Sequence, residues 1–295
     1  MEWNFQLRAW VQMLRPNHWV KSGFCLAALF FGGRFLSVES WLLLLPLLVS
    51  ISLLSSAGYI VNDCLNLEED RHHPRKRRRP IASGEVGVKS ALLSAGILTS
   101  FSLFLLCYAY GVKEVFFLST GYLILTCLYS VLFRSIPVLD VMTLSIGFVV
   151  RVISGAYAVG LPPTWWLVGC TYSLALLLGF GKRRGELVLF RKRGENVGGT
   201  RKALKGYSFL LLDSLLAASA LACVGTYVAF VVVRGNFFLG LSIVPVLSGV
   251  SDYIRMAWRS EVVETPETLF LRSPVLLSSV GGWLACVLFS QLGNF

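Results

Sequence analysis

The stretch WLLLLPLLVSISLLSSAGYIV, Trp41 to Val61, contains no charged residue, and the chain then runs directly into NDCLNLEEDRHHPRKRRRPIASGEV, Asn62 to Val86. The first part has the length of about 20 apolar residues that a bilayer-crossing helix needs. The second concentrates acids and bases at the end of that run. Comparable apolar runs recur at Pro16 to Leu36, Ala91 to Tyr110, Val115 to Phe133, Val138 to Gly160, Trp165 to Gly181, Gly206 to Val233, Asn236 to Trp258 and Pro274 to Leu292. With 55% hydrophobic and 15% charged residues and a mean hydropathy of +0.68, the 295-residue chain is too apolar for a soluble domain. No alternating barrel pattern is present, so helices must satisfy the backbone in lipid. The reading is an all-α, polytopic membrane protein of about nine transmembrane helices, a single domain over 1–295.

The net charge of +11 would fit nucleic acid binding, but its distribution excludes that class. In a nine-span arrangement all but four of the 27 Lys and Arg residues fall on one side. Arg34, Lys113 and Arg234 lie on the other and Arg151 within a span. This asymmetry places the basic side, with the N-terminus, in the cytoplasm of a cell-membrane protein. No cleavable leader is expected. The seven cysteines stand singly, without any CxxC pair, and read as packing thiols. Connectors on the far side are short, whereas three cytoplasmic loops, about 62–89, 182–205 and 259–272, hold most of the charge. The first two follow even-numbered spans four apart, which suggests two halves of similar plan.

Asn62, Asn66 and Asp70 recur at i, i+4 and i+8, which on a continuing helix sets them on one face with Asp63 alongside. Oxygen ligands at the mouth of a membrane helix suit Mg²⁺, which takes one or two carboxylates plus water and substrate phosphates. A solvated acidic helix end pairing with the following arginines would have the same pattern. The run Arg71, Arg75, Lys76, Arg77, Arg78, Arg79 favours the metal reading, because a metal beside guanidinium groups is what a polyphosphate needs.

The stretch NDCLNLEEDRHHPRKRRRPIASG resembles the first aspartate-rich motif, NDxxDxxxD, of the UbiA superfamily of intramembrane prenyltransferases. Asn66 stands where that motif has an aspartate, which removes one negative charge. The resemblance is closest to the decaprenyl-phosphate phosphoribosyltransferase branch, carried by LRPNHWVKSG (14–23), DRHHPRKRRRPIASGEV (70–86), YSVLFRSIPVLDV (129–141), GFVVRVISGA (147–156), GFGKRRGEL (179–187) and PETLFLRSPVL (266–276). Arg134 replaces an expected lysine, and Asp252-Tyr253 stands where Arg-Tyr is usual. Lys182, Arg183, Arg184, Gly185 and Glu186 occupy the position of a second aspartate-rich motif.

The resemblance implies a UbiA-like helical bundle around a cytoplasm-facing cavity, with Mg²⁺ as cofactor and phosphoribosyl pyrophosphate and a polyprenyl phosphate as substrates. On this basis Asp63, Asp70 and Asp140 are the catalytic candidates, with Asp63, Asp70 and Asn66 on the metal. Lys21, Asn62, Arg77, Arg79, Tyr129 and Arg134 are expected at the donor, with Asp140 orienting its sugar hydroxyls. Lys182, Arg183 and Glu186 are expected at the acceptor phosphate. Membrane lipids are the expected surroundings and a homo-oligomer is compatible with the sequence. Two other readings stay open: a prenyltransferase that ionises a prenyl diphosphate, and a non-enzymatic lipid-binding or transport protein.

Overall fold

The computed structural model describes residues 2–72, 76–193, 202–259 and 273–292. Among them there is no strand. The helices are α1 (Glu2–Leu14), α2 (Ala27–Phe31), α3 (Val38–Leu65), α4 (Leu67–His72), α5 (Val88–Tyr110), α6 (Glu114–Val131), α7 (Leu139–Ala158), α8 (Trp165–Arg193), α9 (Phe209–Arg234), α10 (Phe237–Leu241), α11 (Ile243–Arg259) and α12 (Pro274–Leu292). Among the described residues seven stretches are long and apolar enough to cross a membrane: α3, α5, α6, α7, α9, α12 and the combined 237–259. The two other expected spans take different forms. Pro16–Leu26 is a 3₁₀ helix followed by the short α2, and at about 2.0 Å per residue its 11 residues still cover about 22 Å. Helix α8 is long enough, but its second half is charged.

The chain forms two compact units. Residues 1–28, 37–134 and 150–162 make the first. Its centre is α3, against which α5, α6, α1 and the 3₁₀ segment pack. Ser37 begins α3 by accepting from the Ser40 amide at 3.2 Å, an N-cap. Pro46 interrupts the helix from within. On either side of Pro46 the Tyr110 hydroxyl accepts from Leu47 N at 3.2 Å and donates to Leu43 O, inserting into the helix ladder as a side chain at a kink does. Serines line the α3 face that meets the 3₁₀ segment: Ser52 bonds Ser22 at 2.9 Å, and Ser56 donates to Leu14 O at 2.7 Å and receives Trp19 Nε1 at 2.9 Å. Gly155 allows the closest approach. A Cβ there would lie 2.1 Å from the Cys25 carbonyl oxygen.

Residues 29–36, 135–149 and 163–295 make the second unit. Helices α8 and α9 form its largest pairing, around a core that includes Leu177, Phe180, Leu204, Leu212, Leu216 and Ala257. Ser208 caps α9 by accepting from Leu211 N at 3.1 Å. The loop expected from Lys182 is helix as far as Arg193, since Lys, Arg, Glu and Leu are strong helix formers and Arg183 pairs with Glu186 at i, i+3. Positions 194–201 of that loop, and 260–272 of the third, lie outside the described residues.

Candidate active site

The expected site residues divide between the two units. In the first unit α3 ends at Leu65 and Asn66 caps it with non-helical torsions, yet Asn66 N still bonds Asn62 O at 3.1 Å and Asp70 N bonds Asn66 O at 2.9 Å. Helical spacing therefore carries across the break. Asp63 and Asp70, seven residues apart, come to the same side, two turns from each other. Both are buried, at 5% and 1% exposed.

Arg79 joins them. Its Nη1 donates to Asp63 Oδ1 at 2.9 Å and to Asp70 Oδ2 at 2.5 Å. Arg15 grips Asp63 from another side, with Nη2 at 2.7 and 2.5 Å from the two oxygens and its guanidinium 5.1 Å from the Tyr59 ring centre. Arg15 holds this position with φ +53°, in the left-handed region, which is costly for a residue with a side chain. Lys76 Nζ stands 3.6 Å from Asp70 Oδ1, and that oxygen is buried without a hydrogen bond among the described residues. Burial pushes the Lys76 ammonium below its ordinary pKa, against the opposing pull of Asp70.

The asparagines serve a different partner. Asn66 Nδ2 donates to Asn62 O at 2.5 Å and to Asn62 Oδ1 at 3.2 Å, while its Oδ1 accepts from Arg134. Arg134 also meets Glu69 Oε2 at 2.9 Å. Asn66 is thus turned to Arg134, whereas the sequence reading grouped it with the metal carboxylates. Lys21 lies near His18, Nζ to Nδ1 3.4 Å. Tyr129 is half-buried near the end of α6, and Arg77 is exposed.

These residues fit a divalent cation on the chemistry of their donors. Asp63 Oδ1 and Asp70 Oδ2 converge on one nitrogen atom, Asp70 Oδ1 keeps an unused acceptor, and hard oxygen donors of this kind suit Mg²⁺ once Arg79 yields its place. Among the described residues four cations, Arg15, Lys76, Arg79 and Arg134, face three carboxylates, Asp63, Glu69 and Asp70. The surplus positive charge favours an anionic ligand.

In the second unit Asp140, fully buried at the start of α7, accepts from Arg183 Nε at 2.7 Å and from the Tyr207 hydroxyl at 2.6 Å. Both of its oxygens are engaged by the protein. Arg183 Nη1 continues to Glu186 Oε2 at 2.6 Å. The Tyr207 hydroxyl in turn receives Val138 N at 2.7 Å. Val138, at φ +68°, and Arg15 are the two non-glycine residues with positive φ among those described. Burial, then the bond to Asp140, raises the Tyr207 pKa. Lys182 is half-buried beside Arg183. Arg184 is taken up structurally: it meets Asp213 at 2.5 Å and donates to Ala257 O and Trp258 O at 3.0 and 3.1 Å, closing the end of α11. Asp252 accepts from Ser273 Oγ at 2.5 Å and pairs with Arg255, so it anchors the start of α12.

The sequence pattern of the UbiA prenyltransferase family matches residues 23–274. The chain belongs to that family. It is 30% identical over 285 residues to a decaprenyl-phosphate phosphoribosyltransferase of Mycobacterium tuberculosis, covering 94% of this chain and 92% of that protein. A protein of the same name from Corynebacterium glutamicum is 29% identical over 230 residues, 74% of this chain and 65% of its own length. Among solved structures, a UbiA homologue from Archaeoglobus fulgidus bound to GPP and Mg²⁺ aligns with a TM-score of 0.68 at 16% identity, over 96% of this chain and 99% of that one. The fold is therefore the UbiA fold, and the chain is a multi-pass membrane transferase of this family.

Sequence reasoning passed over Arg15, Glu69 and Tyr207, and took Lys76 only as a member of the basic run. Arg15 lies inside the LRPNHWVKSG island and was open to discovery there. Tyr207 has no local signal, because its partners Val138 and Asp140 are nearly 70 residues away.

Proposed function

We propose that this UbiA-family transferase moves the 5-phosphoribosyl group of phosphoribosyl pyrophosphate onto a polyprenyl phosphate. The bond formed joins a phosphate oxygen of the acceptor to the anomeric carbon of the ribose. The bond broken releases pyrophosphate from the same carbon. The observation that carries this reading is the buried Asp63 and Asp70 pair converging on Arg79 within an excess of cations, a setting suited to a diphosphate leaving group. The names of the relatives that align along most of the chain supply the substrate class.

Asp63 and Asp70 would hold Mg²⁺, which when bound neutralises charge on the departing pyrophosphate. Arg79, freed from the carboxylates, then turns to phosphate oxygens along with Arg15, Arg77 and Lys21. Arg134, steadied by Asn66 and Glu69, and Tyr129 orient the donor, and Asn62 fixes Asn66. The acceptor oxygen is ionised at neutral pH and needs no general base. Lys182 and Arg183 receive that phosphate, with Glu186 aiming Arg183. Asp140, whose oxygens are both occupied, positions Arg183 rather than touching a sugar hydroxyl. The basic end faces the cytoplasm of the plasma membrane, following the charge asymmetry.

Purified protein in detergent is expected to release pyrophosphate from phosphoribosyl pyrophosphate only when a polyprenyl phosphate and Mg²⁺ are both present. Asp63→Ala should lower turnover by on the order of 100-fold or more. Unchanged turnover in that variant, or consumption of a prenyl diphosphate in place of the sugar donor, would overturn the assignment.

A further inference from the structure

A cavity of about 340 Å³ lies at the far end of the second unit, where the C-terminal ends of α9 and α12 meet α10 and the turn at Gly32 and Gly33. It is remote from the Asp140 and Arg183 cluster. Tyr207 precedes α9 and Arg234 ends it, so the helix of 26 residues separates the two by about 39 Å. That exceeds the roughly 30 Å of a hydrocarbon core. The cavity therefore belongs to the opposite membrane face and has no part in the proposed transfer.

Its walls are aromatic and its mouth is basic. Phe31, Phe230, Trp283 and Leu239 line it, with Phe31 and Phe230 centred 5.1 Å apart. Trp283 Nε1 is spent on the Tyr227 hydroxyl at 2.9 Å, leaving its ring to the cavity. Arg234 is exposed, lies 5.6 Å over the Phe230 ring and meets Phe31 O at 3.5 Å. It has no carboxylate partner among the described residues. Gln291 contributes a second polar group: Nε2 donates to Phe30 O at 3.0 Å, while Oε1 is buried in the wall and accepts no hydrogen bond among the described residues. A buried acceptor of this kind calls for a donor.

The exterior beside the cavity is apolar. Phe237 and Phe289 are 73% and 55% exposed, and Phe238 stacks on Phe289 at 5.9 Å, the aromatic surface of a helix end in the membrane interface. An occupant reaching the cavity from there is a lipid. Arg234 selects an anionic phosphodiester, the aromatic walls take the first carbons of its chains, and Gln291 Oε1, enclosed in the wall, takes a hydroxyl donor when the amide turns toward the occupant. A headgroup carrying an ammonium would set a cation against Arg234 and is disfavoured.

We propose that this cavity binds the headgroup of an anionic phospholipid bearing a free hydroxyl, of the phosphatidylglycerol type, in the leaflet away from the charged loops. The test uses full-length protein in neutral detergent, with lipid retention read by native mass spectrometry and stability by thermal midpoint. Phosphatidylglycerol is expected to bind roughly tenfold more tightly than phosphatidylcholine and to raise the midpoint more. Arg234→Gln should remove this preference and Arg234→Lys should keep part of it. Gln291→Leu should erase the difference between phosphatidylglycerol and phosphatidylmethanol, which has the same charge without a hydroxyl. Equal binding of phosphatidylcholine, or an undiminished preference in Arg234→Gln, would overturn the proposal. A midpoint rise with water-soluble glycerol phosphate alone would overturn the lipid assignment.

Discussion

Asp140 illustrates how a single buried carboxylate acquires its role from its neighbours. Its two oxygens receive Arg183 and Tyr207, so removing either partner strands a buried acceptor. Tyr207→Phe is expected to cost about 1–3 kcal/mol, read as a lower thermal midpoint. The same pair predicts a pH effect. The folded pKa of Tyr207 is raised above its ordinary 10.0, so the folded state holds this proton more firmly than the unfolded chain. That stability is fully present below pH about 10 and is lost as pH rises beyond it toward the folded value. Tyr207→Phe should flatten this part of the alkaline stability profile. Asn66 makes the converse case. A carboxylate at 66 would face Arg134, which already donates to the amide oxygen, so Asn66→Asp is expected to form an ion pair there. The Mg²⁺ concentration at half-maximal activity should then change by less than about twofold, because the new charge is absorbed locally. A large fall in that concentration would mean that position 66 reaches the metal directly.

At the scale of elements, close approach governs the first unit. The 3₁₀ segment from Pro16 to Leu26 meets the second half of α7 at Gly155, where a Cβ would sit 2.1 Å from the backbone oxygen of Cys25. Backbone cannot move aside as a flexible side chain does. Gly155→Ala is expected to destabilise the protein by about 3 kcal/mol, measured against Gly121→Ala, where nothing lies within 4 Å and helix propensity predicts neutrality or a gain of up to about 1 kcal/mol. Arg151, one turn before Gly155, shows how a charge is accommodated in an apolar helix. It donates to the Tyr122 hydroxyl at 2.6 Å and to Ser55 at 3.3 Å, with its guanidinium 4.4 Å from the Tyr122 ring centre. The apolar runs were legible because each is continuous. The break of the first run into a 3₁₀ segment was not, because a hydropathy pattern carries length and composition but not hydrogen-bond register. The charged end of α8 read as a loop because charge was taken as solvent exposure, whereas Arg183 is buried on Asp140.

At the scale of the molecule, the seven apolar helices among the described residues and the UbiA fold make a multi-pass membrane protein, and the distribution of Lys and Arg sets the expected orientation. In a cysteine-free variant, a thiol introduced by Arg77→Cys should react with an impermeant reagent only after the cells are opened. One introduced by Lys113→Cys should react in intact cells. The reverse labelling would invert the topology. Composition, run lengths and the ordered motifs were enough to determine the membrane class, the family and the location of an acidic and basic cluster after the second apolar run, since each is written in contiguous residues. Only the tertiary structure decided how that cluster is wired. Asp63 and Asp70 converge while Asn66 turns to Arg134, Arg15 enters from 48 residues away, and Tyr207 holds Asp140 across 67. Contacts between residues so far apart depend on helix ends brought together by packing, and no local spacing encodes them.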